Sequence, residues 1–314
     1  MTALCASCGI AEVDEIKLKE CDDCDLVRYC SDECQTEHKT EHTEACKKRA
    51  AELRDELLFK QPESSHFGDC PICCIPLSLD IRKSPINECC SKVICNGCSH
   101  AHRRRAWEKR LEQSCPFCRE PVPNTEKESA KLRMKRVKAN DPVAIRQEGV
   151  MRYNKGEYIK AYYTKAAELG DAEAHYQLSI LYQSGKGVEK DEGKKIYHLE
   201  EAAIAGHPFA RYVLGVCEWR RFRVENNRND ERAVKHWIIA ARQGDGNSIK
   251  ELMKIFKHGQ KYDFEYISKE DLAAALRAHK TVVDATKSPQ RDTAEEFYNS
   301  DYFKSFIKNK NKEG

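Results

Sequence analysis

The sequence predicts two small metal-stapled α+β modules followed by an all-α helical solenoid, and three observations carry that reading. Sixteen of the 17 cysteines lie between Cys5 and Cys118, most of them in close pairs. From about residue 141 cysteine vanishes apart from Cys217, alanine and leucine rise, and a helical period takes over. In that last stretch small residues return at a fixed step. The pairs Ala166/Ala167, Ala202/Ala203 and Ala240/Ala241 lie 36 and 38 residues apart, and Gly170, Gly206 and Gly244 keep the same spacing, as do Leu178, Leu214 and Leu252.

The 314 residues suffice for two or three domains. A hydrophobic fraction of 40% beside 33% charge is too apolar for a disordered chain, and a net charge of only +3 draws the whole molecule onto neither nucleic acid nor membrane. The start, MTALCASCGIAEVDE, has no apolar core and no basic leader, and no segment reaches the ~18 consecutive apolar residues of a membrane span. These features lead us to expect an intracellular protein, cytoplasmic and/or nuclear, with no membrane partner. In a reducing compartment clustered cysteine pairs are more often metal ligands than disulfides. The expected organisation is a first module over 1–50, a helical linker over 51–68, a second module over 69–123, a charged linker over 124–140, helical repeats over 141–290 and a tail over 291–314.

The first module runs Cys5-x2-Cys8-x12-Cys21-x2-Cys24-x5-Cys30-x3-Cys34-x7-His42-x3-Cys46. Eight donors make two tetrahedral zinc sites, and a gap of three residues places two ligands on one helix face. His38 lies one turn before His42 and competes for its place. From Cys21 onward the order resembles the MYND finger at every spacing; the Cys8–Cys21 gap alone is long. That resemblance implies interleaved pairing, with Cys5, Cys8, Cys30 and Cys34 on one ion and Cys21, Cys24, His42 and Cys46 on the other. It also implies binding of short proline-containing peptides.

The second module reads Cys70-x2-Cys73, Cys89-Cys90, Cys95-x2-Cys98 and Cys115-x2-Cys118, with Cys74 left over. Its three spaced pairs resemble a RING finger, which implies a cross-brace of Cys70/Cys73 with Cys95/Cys98, and of Cys115/Cys118 with two ligands from the middle. Adjacent Cys89 and Cys90 are the expected two, although neighbouring thiolates reach one ion only through an awkward turn, and His100 or His102 could replace one of them. The resemblance also implies that Ile72, Trp107, Pro116 and Arg119 contact a ubiquitin-conjugating enzyme, Arg119 as the "linchpin" whose planar fork bridges two partners. Ile72 and Trp107 could equally be core, and Arg119 one surface arginine among many. In both modules the zinc, about four ions in all, would be structural, with no nucleophile in the chain; nothing resembles a hydrolytic site.

In the third region the segment from Gly185 to His207 (GKGVEKDEGKKIYHLEEAAIAGH) resembles the Sel1-like repeat, a relative of the tetratricopeptide repeat. The unit over 141–170 lacks its Val-x2-Asp loop, the loop RRFRVENNRND has lost its glycines, and the unit from Asn247 to about Ser288 diverges as a cap would. Helix pairs of this kind bury their apolar faces only by stacking. The basic runs His102–Arg110 and Lys131–Lys138 suit nuclear import or nucleic acid, but more commonly such runs are solvated helix faces. The near-neutral total argues against a dedicated nucleic-acid protein. Cys217 reads as a small buried apolar residue and FIKNKNKEG as a frayed tail. The function expected is RING-type ubiquitin ligation, with the MYND finger or the repeats choosing substrate or adaptor. The alternatives are a non-enzymatic protein-interaction scaffold and a transcription or chromatin adaptor.

Overall fold

The computed structural model describes residues 3–154, 159–225, 230–262 and 265–300. The loop positions 155–158 and 226–229 and the run 306–314 lie outside the described residues. The chain divides into two compact units, with the break between Lys60 and Gln61.

The first unit holds a minimal hairpin and one long helix. Strands β1 (Lys19–Glu20) and β2 (Arg28–Tyr29) pair antiparallel, Lys19 opposite Tyr29. Helix α1 (Asp32–Phe59) starts at Ser31, whose side chain accepts from the Cys34 amide at 3.3 Å, with Asp32 and Glu33 favourably placed in the first turn. Along its 28 residues only His42 and Leu58 are buried. The core of the unit is Cys5, Cys21, Cys24 and Tyr29. A core made largely of thiols cannot hold a unit this small by hydrophobic burial, so it depends on a staple.

The second unit begins with another hairpin, β3 (Ile86–Asn87) against β4 (Lys92–Val93), and helix α2 (Asn96–Glu108). The stretch expected as a charged linker is helix α3 (Glu126–Lys138). Its Arg133 is buried and clamped between Glu88 and Glu148, and Arg136 pairs with Asp141. The basic run over 131–138 is therefore partly spent on internal ion pairs.

The solenoid follows as α4 (Pro142–Asn154), α5 (Lys160–Glu168), α6 (Ala172–Ser184), α7 (Glu192–Ile204), α8 (Pro208–Glu225), α9 (Asp230–Arg242), α10 (Gly246–Tyr262) and α11 (Lys269–Ala285), each helix packed on its chain neighbours. The repeating residues explain the repeating geometry. Gly170, Gly206 and Gly244 all adopt positive φ, 82° to 96°, just after α5, α7 and α9, a backbone that glycine enters without strain. The residue after each glycine caps the next helix: Asp171, His207 and Asp245 accept from the amides of Ala174, Ala210 and Ser248. The paired alanines, including Ala166, Ala202 and Ala240, are buried and let the helices approach closely. Cys217 is half-buried on α8.

A final helix, α12 (Pro289–Asn299), occupies the described part of the stretch expected as a tail over 291–314. Ser288 caps it, Pro289 opens it, and it packs back on α2. The sequence hid this docking because its partner lies about 190 residues away. Among the described residues, no helix is long and apolar enough to cross a membrane.

Candidate metal centres

Three of the Cys-x2-Cys pairs form one local structure, a knuckle. In each, the N–H of the first cysteine donates to the carbonyl five residues on, and its own carbonyl accepts from the N–H four residues on. The bonds are Cys5 N–H to Ile10 O at 2.8 Å with Gly9 N–H to Cys5 O at 3.0 Å, Cys70 to Ile75 at 3.0 Å with Cys74 to Cys70 at 2.8 Å, and Cys115 to Glu120 at 2.7 Å with Arg119 to Cys115 at 3.0 Å. The residue after each pair is left-handed: Gly9 at φ 74°, Cys74 at 54° and Arg119 at 67°. The turn also aims backbone amides at the thiol sulfur. Burial pushes the Cys5 thiol up, but amide bonds from Cys8, Cys30 and Ser7 outweigh it and hold Cys5 at about 6. At Cys70 burial is likewise outweighed, by the amides of Cys73, Cys95 and Ile72, leaving it at about 7.

Helices and a hairpin turn position most of the remaining donors. Cys30 precedes α1 and Cys34, His42 and Cys46 lie on it, while Cys95 is the N-cap of α2, its sulfur accepting from Cys98 N–H at 3.4 Å. Cys89 and Cys90 sit in the tight turn of the β3–β4 hairpin, closed by Ser91 N–H to Asn87 O at 2.7 Å with Ser91 at φ 58°. This left-handed residue lets neighbouring thiols face one point.

The folded chain gathers sixteen donors into four groups, each with all its donor atoms within 4.8 Å of one another: Cys5/Cys8/Cys30/Cys34, Cys21/Cys24/His42/Cys46, Cys70/Cys73/Cys95/Cys98 and Cys89/Cys90/Cys115/Cys118. A zinc bonded to four sulfurs at ~2.3 Å spaces them about 3.8 Å apart. The chain shows Cys8–Cys30 at 3.5 Å, Cys30–Cys34 at 3.6 Å, Cys21–Cys46 at 3.8 Å, Cys73–Cys95 at 3.9 Å, Cys90–Cys115 at 3.9 Å and Cys89–Cys118 at 3.4 Å. These donor sets suit structural Zn²⁺, and each group takes its members from two separated stretches of chain, interleaved within each module. His42 Nε2 lies 3.2 Å from Cys24 Sγ, whereas His38 instead bonds the Tyr29 hydroxyl through Nδ1 at 3.1 Å. His102 is directed to Ser114 at 3.4 Å and His100 packs on Phe297, so neither enters the second module's clusters.

A fifth group, His66, Glu173 and His207, also brings three donors within 4.8 Å. Its bonding is that of a hydrogen-bonded cluster. His207 Nδ1 accepts from Ala210 N–H at 3.1 Å, which leaves the proton on Nε2, where it is donated to Glu173 at 3.0 Å. His66 stacks on the His207 ring at 4.2 Å, and its backbone amide bonds Gly206 O at 2.9 Å. This contact seats the segment before the second module on the solenoid, a docking that no spacing or motif announces.

The four residues implied to meet a conjugating enzyme do not join the core of the second module. Ile72 is 42% exposed and Trp107 78% exposed, Arg119 is exposed and Pro116 half-buried. Burial therefore does not explain Ile72 or Trp107.

Fold and donor sets together define a zinc-finger protein with a helical repeat. Residues 5–46 match the family model of the MYND finger, and residues 160–171, 172–207 and 208–245 match that of the Sel1 repeat. MYND fingers and Sel1 repeats are protein-interaction modules. Chitin synthase regulatory factor 4 from Schizosaccharomyces pombe is 29% identical over 96 residues, which span 30% of this chain but only 14% of that protein. Among solved structures, a Sel1 repeat protein from Oxalobacter formigenes is 28% identical over 52% of this chain and 66% of its own, with a TM-score of 0.42. The Escherichia coli antigen c5321 is 19% identical over 61% of this chain and 46% of its own, with a TM-score of 0.40.

Proposed function

We propose that this chain is a zinc-organised protein-interaction protein whose second module recruits a ubiquitin-conjugating enzyme and supports RING-type ubiquitin transfer. In this reading the sixteen clustered residues hold four structural zinc ions. The observation that carries the ligase reading is the second module's interleaved pairing, Cys70/Cys73 with Cys95/Cys98 and Cys89/Cys90 with Cys115/Cys118, beneath a surface that leaves Ile72 and Trp107 at solvent. With four protein donors on each ion no position is open for water, so the zinc shapes a surface and performs no hydrolysis. The rate gain would come from holding a charged conjugating enzyme in its reactive orientation. The MYND finger and the repeats would select the protein to be modified.

Arg119 favours a second reading, a scaffold without transfer activity. It occupies the left-handed knuckle position that Gly9 and Cys74 fill elsewhere, and a residue is needed there whether or not ubiquitin is a partner. The regulatory role named for the yeast relative suits either reading. An autoubiquitination assay of the full chain against a panel of conjugating enzymes separates them. Ligation predicts activity that falls at least tenfold in Ile72→Ala, Trp107→Ala and Arg119→Ala. Inactivity across the whole panel, with wild type and variants indistinguishable, would contradict it and leave the scaffold.

A further inference from the structure

The C-terminal helix carries a cation to one of the candidate zinc sites. Arg291, in the first turn of α12, extends its guanidinium over the Cys70–Cys73 knuckle. Its Nη2 donates to Ile75 O at 2.9 Å and lies 3.6 Å from Cys73 Sγ, and its Nη1 donates to Pro76 O at 2.6 Å and to Thr286 O at 2.7 Å. Neighbouring contacts seat the helix: Gln290 Nε2 to Gly97 O at 3.2 Å, Lys83 Nζ to Glu295 at 2.7 Å, and the buried Ala294. On α2 the position between two candidate ligands is Gly97, and a Cβ there would come within 3.0 Å of the Arg291 backbone and side chain. A side chain there would push the helix back by a few tenths of an ångström.

A zinc on four thiolates is a formal dianion. A guanidinium donating to one of those sulfurs offsets part of that charge, and its bonds to the two carbonyls fix the knuckle from which Cys70 and Cys73 project. We propose that Arg291 is an outer-sphere positioning residue for the zinc at Cys70/Cys73/Cys95/Cys98, and that α12 is a latch closed by that ion. Linkage makes the effect reciprocal: a closed latch tightens zinc binding, and zinc loss loosens the latch. The proposal rests on the assignment of those cysteines as zinc ligands.

Two measurements on the full chain test it: total zinc by mass spectrometry, and zinc release to the chelator 4-(2-pyridylazo)resorcinol. With four ions on the unmodified chain, Arg291→Met should release one of them about tenfold faster and the other three at the native rate. Arg291→Lys, which keeps the charge but not the fork, should fall between. Gly97→Ala, which displaces the helix without removing the arginine, should accelerate the same ion. Stripping the zinc should lower amide-exchange protection over 292–299. Release curves for Arg291→Met and Gly97→Ala that superimpose on the native one would overturn the latch. Two or fewer ions on the unmodified chain would overturn the ligand assignment itself.

Discussion

At the scale of the residue, each candidate ligand depends on a small backbone device. Adjacent Cys89 and Cys90 face one site because Ser91 turns left-handed at φ 58°. Ser91→Gly should therefore be neutral or stabilising, whereas β-branched Ser91→Val should cost about 1–3 kcal/mol and loosen one zinc; thermal melts with zinc analysis check both. His42 and His38 separate in the same way. His42→Ala should leave three zinc ions per chain and His38→Ala four, the latter losing the bond to Tyr29 and the stacking on His42 but no candidate donor. The candidate donors that the fold gathers, Cys89 and Cys90 included, were legible in the sequence, since donor spacing is local information. The Cys89/Cys90 turn was not, because it depends on a φ value that Ser91 does not advertise. Arg291 was hidden for another reason: its partners lie some 200 residues upstream.

At the scale of the element, the repeat helices were readable because their small residues recur at a fixed step and each has a local task. Gly206 shows the tightest case: at φ 82°, a Cβ would also come within 3.0 Å of Ser64 O, in the segment seated on it. Gly206→Ala should destabilise the second unit by about 1–3 kcal/mol, measurable as a lower urea midpoint. The neighbouring His66 adds a pH dependence. Burial first, then its closeness to His207 and to the Arg146 guanidinium, lower its pKa to about 3, against the opposing charge of Glu173. The unfolded chain takes up this proton near pH 6.5 while the folded chain does not, so stability is full above that pH and falls as pH drops toward 3. Between pH 7.5 and 5.5 the urea midpoint should fall less in His66→Phe than in the native chain; equal slopes would contradict the account.

At the scale of the whole molecule, the two units differ in what holds them. Helix α1 buries only His42 and Leu58, so it is held chiefly by its candidate ligands, with surface bonds such as Arg49 to Asp25 beside them. The solenoid has apolar clusters of its own, one around Trp237, Leu252 and Ala275 and another around Ile145, Leu178 and Leu181. Zinc chelation should strip amide-exchange protection from 32–59 and leave that of α6, α7 and α9 in place. The proposed transfer activity would lie on a surface that the metal shapes, which makes the metal content its foundation. Native mass spectrometry of the purified full chain measures it most directly. Four zinc ions per chain and no hydrogens lost to disulfides are expected; two or fewer ions, or cysteines paired by oxidation in the folded protein, would contradict the zinc assignment.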